Sequence, residues 1–156
     1  MKKKILTLIP ILVLGIMAGI IKEKNTEIKL MEKKSEKDLQ NVRLFEQWLF
    51  IKQDNKSIED YLKRKEIKTI AIYGMDFVGE RLYDELKDTS IEVRYAIDRR
   101  GGCLCGDIPV ISLEEEFDPV DAIVVSAVYY FDEIKESLLM RTDIPVVSLE
   151  TLLFES

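Results

Sequence analysis

The chain has 156 residues, 47% of them hydrophobic and 33% charged, with seven Gly and four Pro, which suits one ordinary domain plus an extra segment and excludes a disordered or fibrous chain. It contains no His, so Ser-His and Cys-His nucleophiles, His acid–base chemistry and His-ligated metals are excluded. The formal charge of −6 hides an asymmetry: residues 1–66 carry 15 Lys/Arg against 10 Asp/Glu, and residues 67–156 carry 8 against 19. An acidic C-terminal part argues against nucleic acid as a partner, because basic patches supply most of that affinity.

Lys2, Lys3 and Lys4 precede Ile5–Ile21, an uncharged run of 17 residues. As a helix it is ~25 Å long against a hydrocarbon core of ~30 Å, a short span that works if flanking lysines snorkel. Residues 1–21 are therefore expected to form an uncleaved, single-pass membrane anchor. A signal peptide is the rival, but Ile16 or Met17 stands where cleavage at Ala18-Gly19 wants a small residue. A buried core helix is the third reading. Lys22, Lys24, Lys29, Lys33, Lys34 and Lys37 outnumber the three N-terminal lysines, which places the rest of the chain on the cytoplasmic side of the cell membrane.

Residues 22–66 read as a charged helical linker. Lys22–Lys37 alternates charge, as a solvated helix or tether does. Leu39, Val42, Phe45, Trp48 and Leu49 then recur at three- and four-residue spacing, predicting one helix face that packs on the domain, on a second copy in a homo-oligomer, or in a partner groove. Ser57 followed by Asp60 resembles a capping box with Asp in place of Glu and opens a short helix over Ile58–Lys65.

Residues 67–156 form the domain. Strands are predicted at Thr69–Tyr73, Val93–Ile97, Ile108–Ile111, Ala122–Ala127 and Pro145–Ser148, with helices at Phe77–Leu86 and Phe131–Met140 and an acidic turn at Glu114–Glu116. Continuously apolar strands alternating with helices specify an α/β fold with a parallel sheet buried on both faces. Right-handed crossovers then favour the strand order 3-2-1-4-5.

In such a sheet ligands bind beyond the strand C-termini where the winding reverses, here between Tyr73 and Ala127. The turn Gly74-Met75-Asp76-Phe77-Val78-Gly79 matches the dinucleotide fingerprint G-x-G-x-x-G at its first and third glycines and has Asp76 at the second. That second glycine normally lets a pyrophosphate approach the backbone. Asp76 has two readings: an N-cap accepting from Val78 and Gly79 N–H, or a polar contact to a ligand. The same N–H groups would hold a phosphate, so Asp76 as a cap fills the anion site from within. Asp98 ends the second strand, where a fingerprint acid bonds the ribose or a solvated strand end begins a turn; Arg99 and Arg100 follow and could meet a 2′-phosphate, which Asp98 would oppose. Ser126, Tyr129 and Tyr130 follow the fourth strand, and either tyrosine could serve as a general acid or pack around the helix start. Ile134 stands four residues after Tyr130, so the Tyr-x-x-x-Lys pair of short-chain dehydrogenases is missing. Cys103-Leu104-Cys105 in a Gly-flanked loop is too close for an unstrained bridge and, without other Cys or His, a poor zinc site; no metal is expected.

The stretches I-A-I-Y-G-M-x-x-x-G-E-R-L-Y-D-E-L, I-E-V-x-Y-A-I-D-R and D-A-I-V-V-S-A-x-Y-Y-F-D-E-I, with W-x-x-x-K-Q from Trp48 to Gln53, resemble small membrane-anchored Rossmann-like half-domain proteins of Gram-positive surface-polysaccharide gene neighbourhoods. The resemblance implies a nucleotide- or NAD(P)-binding fold near the membrane and carries to Gly74, Gly79 and Asp98. It does not supply a reaction. Three functions follow as expectations. The first is a tethered module, not itself an enzyme, that binds a nucleotide, NAD(P) or nucleotide-sugar beside membrane-associated polysaccharide enzymes. The second is an oxidoreductase- or epimerase-like subunit acting on sugar nucleotides. The third is a ligand-free structural or interaction module.

Overall fold

The computed structural model describes residues 2–98 and 103–156, with side chains described for residues 17–98 and 106–156. The chain divides into two compact units, Met1–Leu39 and Gln40–Ser156. Helix α1 (Lys2–Gln53) supplies the described residues of the first unit and opens the second. From Ile20 to Gln53 the sequence has neither Gly nor Pro, so nothing interrupts the helix. In the first unit Lys24 pairs with Glu27 at 2.8 Å, while Ile21, Ile28 and Met31 are exposed. Among the described residues no helix is long and apolar enough to cross a membrane. The anchor expected over residues 1–21 falls mostly on residues 1–16, whose side chains lie outside the described set.

The second unit begins inside the segment expected as linker. Its α1 turns are followed by α2 (Ile58–Arg64), β1 (Thr69–Tyr73), α3 (Phe77–Leu86), β2 (Glu92–Ile97), β3 (Cys103–Cys105), β4 (Ile108–Ile111), β5 (Ala122–Val125), a 3₁₀ turn (Val128–Tyr130), α4 (Phe131–Leu139), β6 (Val146–Ser148) and α5 (Leu149–Phe154). Both early helices end in Schellman-type caps. At α1, Lys56 N–H bonds Ile51 O at 2.9 Å and Asn55 takes φ +56°; at α2, Ile67 N–H bonds Leu62 O at 2.9 Å and Glu66 takes φ +59°. Ser57 caps α2 by accepting from Asp60 N–H at 3.1 Å, and its hydroxyl donates to the Asp60 carboxylate at 2.7 Å.

The sheet runs β3-β4-β2-β1-β5-β6. Its five parallel strands stand in the expected order 3-2-1-4-5, β1 lying between β2 and β5. The sixth strand corrects the sequence reading. Cys103–Cys105 is not a loop but an edge strand antiparallel to β4, with Leu104 opposite Pro109. The turn is Gly106-Asp107, and Gly106 has φ +60°, the conformation a two-residue hairpin needs at its first central position. The side chains of Cys103 and Cys105 lie outside the described residues.

Successive residues of the strands point to opposite faces, and each face has its own core. On one face Ile70, Ile72, Ala122 and Val124 pack with Val78, Leu82 and Leu86 of α3, Leu149, Leu152 and Leu153 of α5, and Ile58, Tyr61 and Leu62 of α2. Leu44, Trp48 and Ile51 of α1 join this cluster, so residues 40–53 share the core of the sheet domain. On the other face Ala71, Tyr95, Ile97, Ile123 and Val125 pack with Leu138 of α4.

The face of α1 packed on the domain shares only part of the expected Leu39–Leu49 set. Leu44 and Ile51 are 1% exposed, whereas Leu39, Val42 and Leu49 are 52%, 62% and 60% exposed; of the Leu39–Leu49 set only Phe45 and Trp48 pack against the core. Glu85 of α3 fastens the helix in this rotation. Its carboxylate, with the side chain only 10% exposed, accepts from the Trp48 indole N–H, pairs with Lys52 Nζ at 2.7 Å and faces Ile58 N–H at 3.4 Å. Trp48 and Lys52 are four residues apart and so share one helix face. The W-x-x-x-K spacing is thus a two-donor clasp on one carboxylate.

Candidate functional site

The C-terminal ends of β1 and β5 lie side by side, with Tyr73 paired to Val125. The chain leaves β1 toward α3 and β2 on one side and returns to β5 on the other, so this is the winding reversal at which α/β folds bind ligands. Gly74 follows β1 with φ +91°, and its N–H bonds Ile97 O at 2.9 Å. A side chain there would be strained and would meet Ser126 Oγ at 2.9 Å. Gly79 is required by proximity instead: a Cβ on it would stand 2.0 Å from Gly74 O. Both retained glycines therefore do what the fingerprint demands of them, a tight turn and a close approach of helix to strand.

The carboxylates occupy the donors of this turn. Asp76 caps α3, its Oδ1 accepting from Val78 N–H at 3.1 Å and from Gly79 N–H at 3.5 Å. Asp98, at the end of β2, accepts from Met75 N–H at 2.9 Å through Oδ2. Of the two roles open to Asp76, the structure displays the cap. Ser126, 1% exposed, points its hydroxyl at Gly74 O (2.7 Å) and Tyr73 O (3.1 Å), and its N–H bonds Tyr73 O. It ties the end of β5 across to the β1 turn.

Tyr129 and Tyr130 lie in the 3₁₀ turn after β5, their rings edge-to-face with centroids 5.0 Å apart. Tyr129 is half-buried and Tyr130 exposed. Arg99 and Arg100 fall outside the described residues. Phe77, which sequence reasoning did not single out, stands exposed at the start of α3 and stacks on Phe45, which in turn stacks on Trp48, each pair with centroids 5.9 Å apart. No pattern in the local sequence would have found it, since Phe45 and Phe77 meet only in the fold.

Groups with displaced pKa values lie away from this turn. Asp121 is held below the usual carboxylate range by hydrogen bonds from Lys68 N–H, Thr69 N–H and the Thr69 hydroxyl, fastening the start of β1 to β5. Glu59 is lowered to about 2 by hydrogen bonds from Lys63 and from Ser90. Burial pushes the Tyr95 phenol up to about 12, and its hydroxyl donates to Asp118 O at 2.7 Å. A cavity of about 580 Å³ lined by Lys63, Glu66, Ile67, Lys68, Ser90 and Ile91 opens near the start of β1, at the opposite end of the strand from Gly74. Among the described residues no group of three or more acidic or Cys side chains could hold a metal ion.

The turn therefore combines a positive-φ glycine, a close approach of helix to strand, and backbone donors that already carry carboxylate partners. No protein-family model, curated protein or solved structure matches the chain. What is established is the class that the strand order defines: an α/β domain built on a parallel sheet.

Proposed function

We propose that the chain is a membrane-tethered Rossmann-like module without a reaction of its own, a structural or interaction module accessory to surface-polysaccharide synthesis. The supporting observation is the occupation of the turn, where Asp76 takes the amides of Val78 and Gly79 and Asp98 takes that of Met75. A pyrophosphate arriving here would need the helix N-terminal donors that Asp76 already holds and would be repelled by it. The tether rests on the uncharged run Ile5–Ile21 and its flanking lysines, with the domain on the cytoplasmic side. The polysaccharide setting rests on the family resemblance.

A second reading keeps a nucleotide, NAD(P) or nucleotide-sugar as ligand, with Gly74, Asp76, Gly79, Asp98 and Ser126 around it. The positive φ of Gly74 and the close approach of Gly79 favour it. It has Asp98, which accepts from Met75 N–H through Oδ2, take the ribose hydroxyls as well. The oxidoreductase or epimerase form of this reading adds Tyr129 or Tyr130 as the acid and a partner to complete the pocket.

Thermal unfolding of the full chain in detergent micelles separates these readings, run with NAD(H), NADP(H) and nucleotide sugars on the wild type and on Asp76→Gly. A ligand at ~100-fold over its dissociation constant adds ~2.7 kcal/mol. The closed turn predicts no shift in the wild type and a shift in Asp76→Gly. An equal shift in both proteins overturns closure and establishes the ligand-binding reading. No shift in either removes the turn as a ligand seat and leaves the scaffold role.

A further inference from the structure

We draw no further inference here: the strongest candidate, the exposed apolar surface of Val42, Leu49 and Phe77 beside the half-buried Phe45, carries nothing because nothing in the structure shows what covers it.

Discussion

Removing the Glu85 carboxylate should loosen α1 from the domain, and the structure says which donor dominates the loss. Trp48 is 7% exposed, so Glu85→Ala leaves its indole N–H buried without an acceptor. A hydrogen bond to a charged group contributes about 1.5–3 kcal/mol. Lys52 is 45% exposed on its side chain, so its pairing is screened and contributes about 0–1 kcal/mol. The contact to Ile58 N–H, at 3.4 Å, is long and adds little. Glu85→Ala should therefore cost about 2–4 kcal/mol, roughly 4 °C of melting temperature per kcal/mol for a unit of this size. A double-mutant cycle of Glu85→Ala with Trp48→Phe, followed by urea unfolding, should return about 1.5–3 kcal/mol of coupling. The same cycle with Lys52→Met should return under about 1 kcal/mol. Coupling that is absent for Trp48, or larger for Lys52 than for Trp48, would refute the account of the clasp.

Other outcomes follow from backbone and charge. Gly79→Ala places a methyl 2.0 Å from Gly74 O and should cost about 3 kcal/mol or more in a melting assay, since backbone must move. Glu66→Gly relieves a left-handed non-Gly residue at the α2 cap, φ +59°, and should stabilise by ~1 kcal/mol in urea titrations. Glu59 has its folded pKa lowered from 4.5 to about 2, so its contribution is present above about 4.5 and is lost as pH falls toward 2. Glu59→Gln should accordingly melt below the wild type at pH 7 and together with it near pH 2. A gap in melting temperature that stays constant across that window would contradict this linkage.

The sheet was largely legible because its central strands are buried on both faces. T-I-A-I-Y, V-R-Y-A-I and A-I-V-V-S-A are apolar runs too short for helices, and their alternation with helical segments constrains the strand order. The edge strand escaped because Cys103–Cys105 has three residues and no alternation to detect. Helix α5 escaped because Leu149–Phe154 is short, although Ser148 caps it by accepting from Glu150 N–H at 3.2 Å. The rotation of α1 was not decidable locally. Residues 39–51 hold two apolar stripes, Leu39-Val42-Leu49 and Leu44-Trp48-Ile51, and only contacts distant in sequence, the core on α2, α3 and α5 and the Glu85 carboxylate 37 residues after Trp48, distinguish them. In the turn, the cap by Asp76 was readable from its place before a helix. The bond from Met75 N–H to Asp98 was not, since the fingerprint assigns that acid to a ribose.

The clasp also governs how the length of this chain can change. One residue inserted or deleted between Leu44 and Trp48 turns everything beyond it by about 100° about the helix axis. With Trp48 and Lys52 held on Glu85, which also lies beyond the change, Leu44 would be rotated off the core it shares with Trp48 and Ile51. Loops absorb such changes, but this helix offers no loop between Leu44 and Gln53 in which to hide one. Variants of this segment should therefore keep the fold through substitution, or through length changes near seven residues that restore the helical phase.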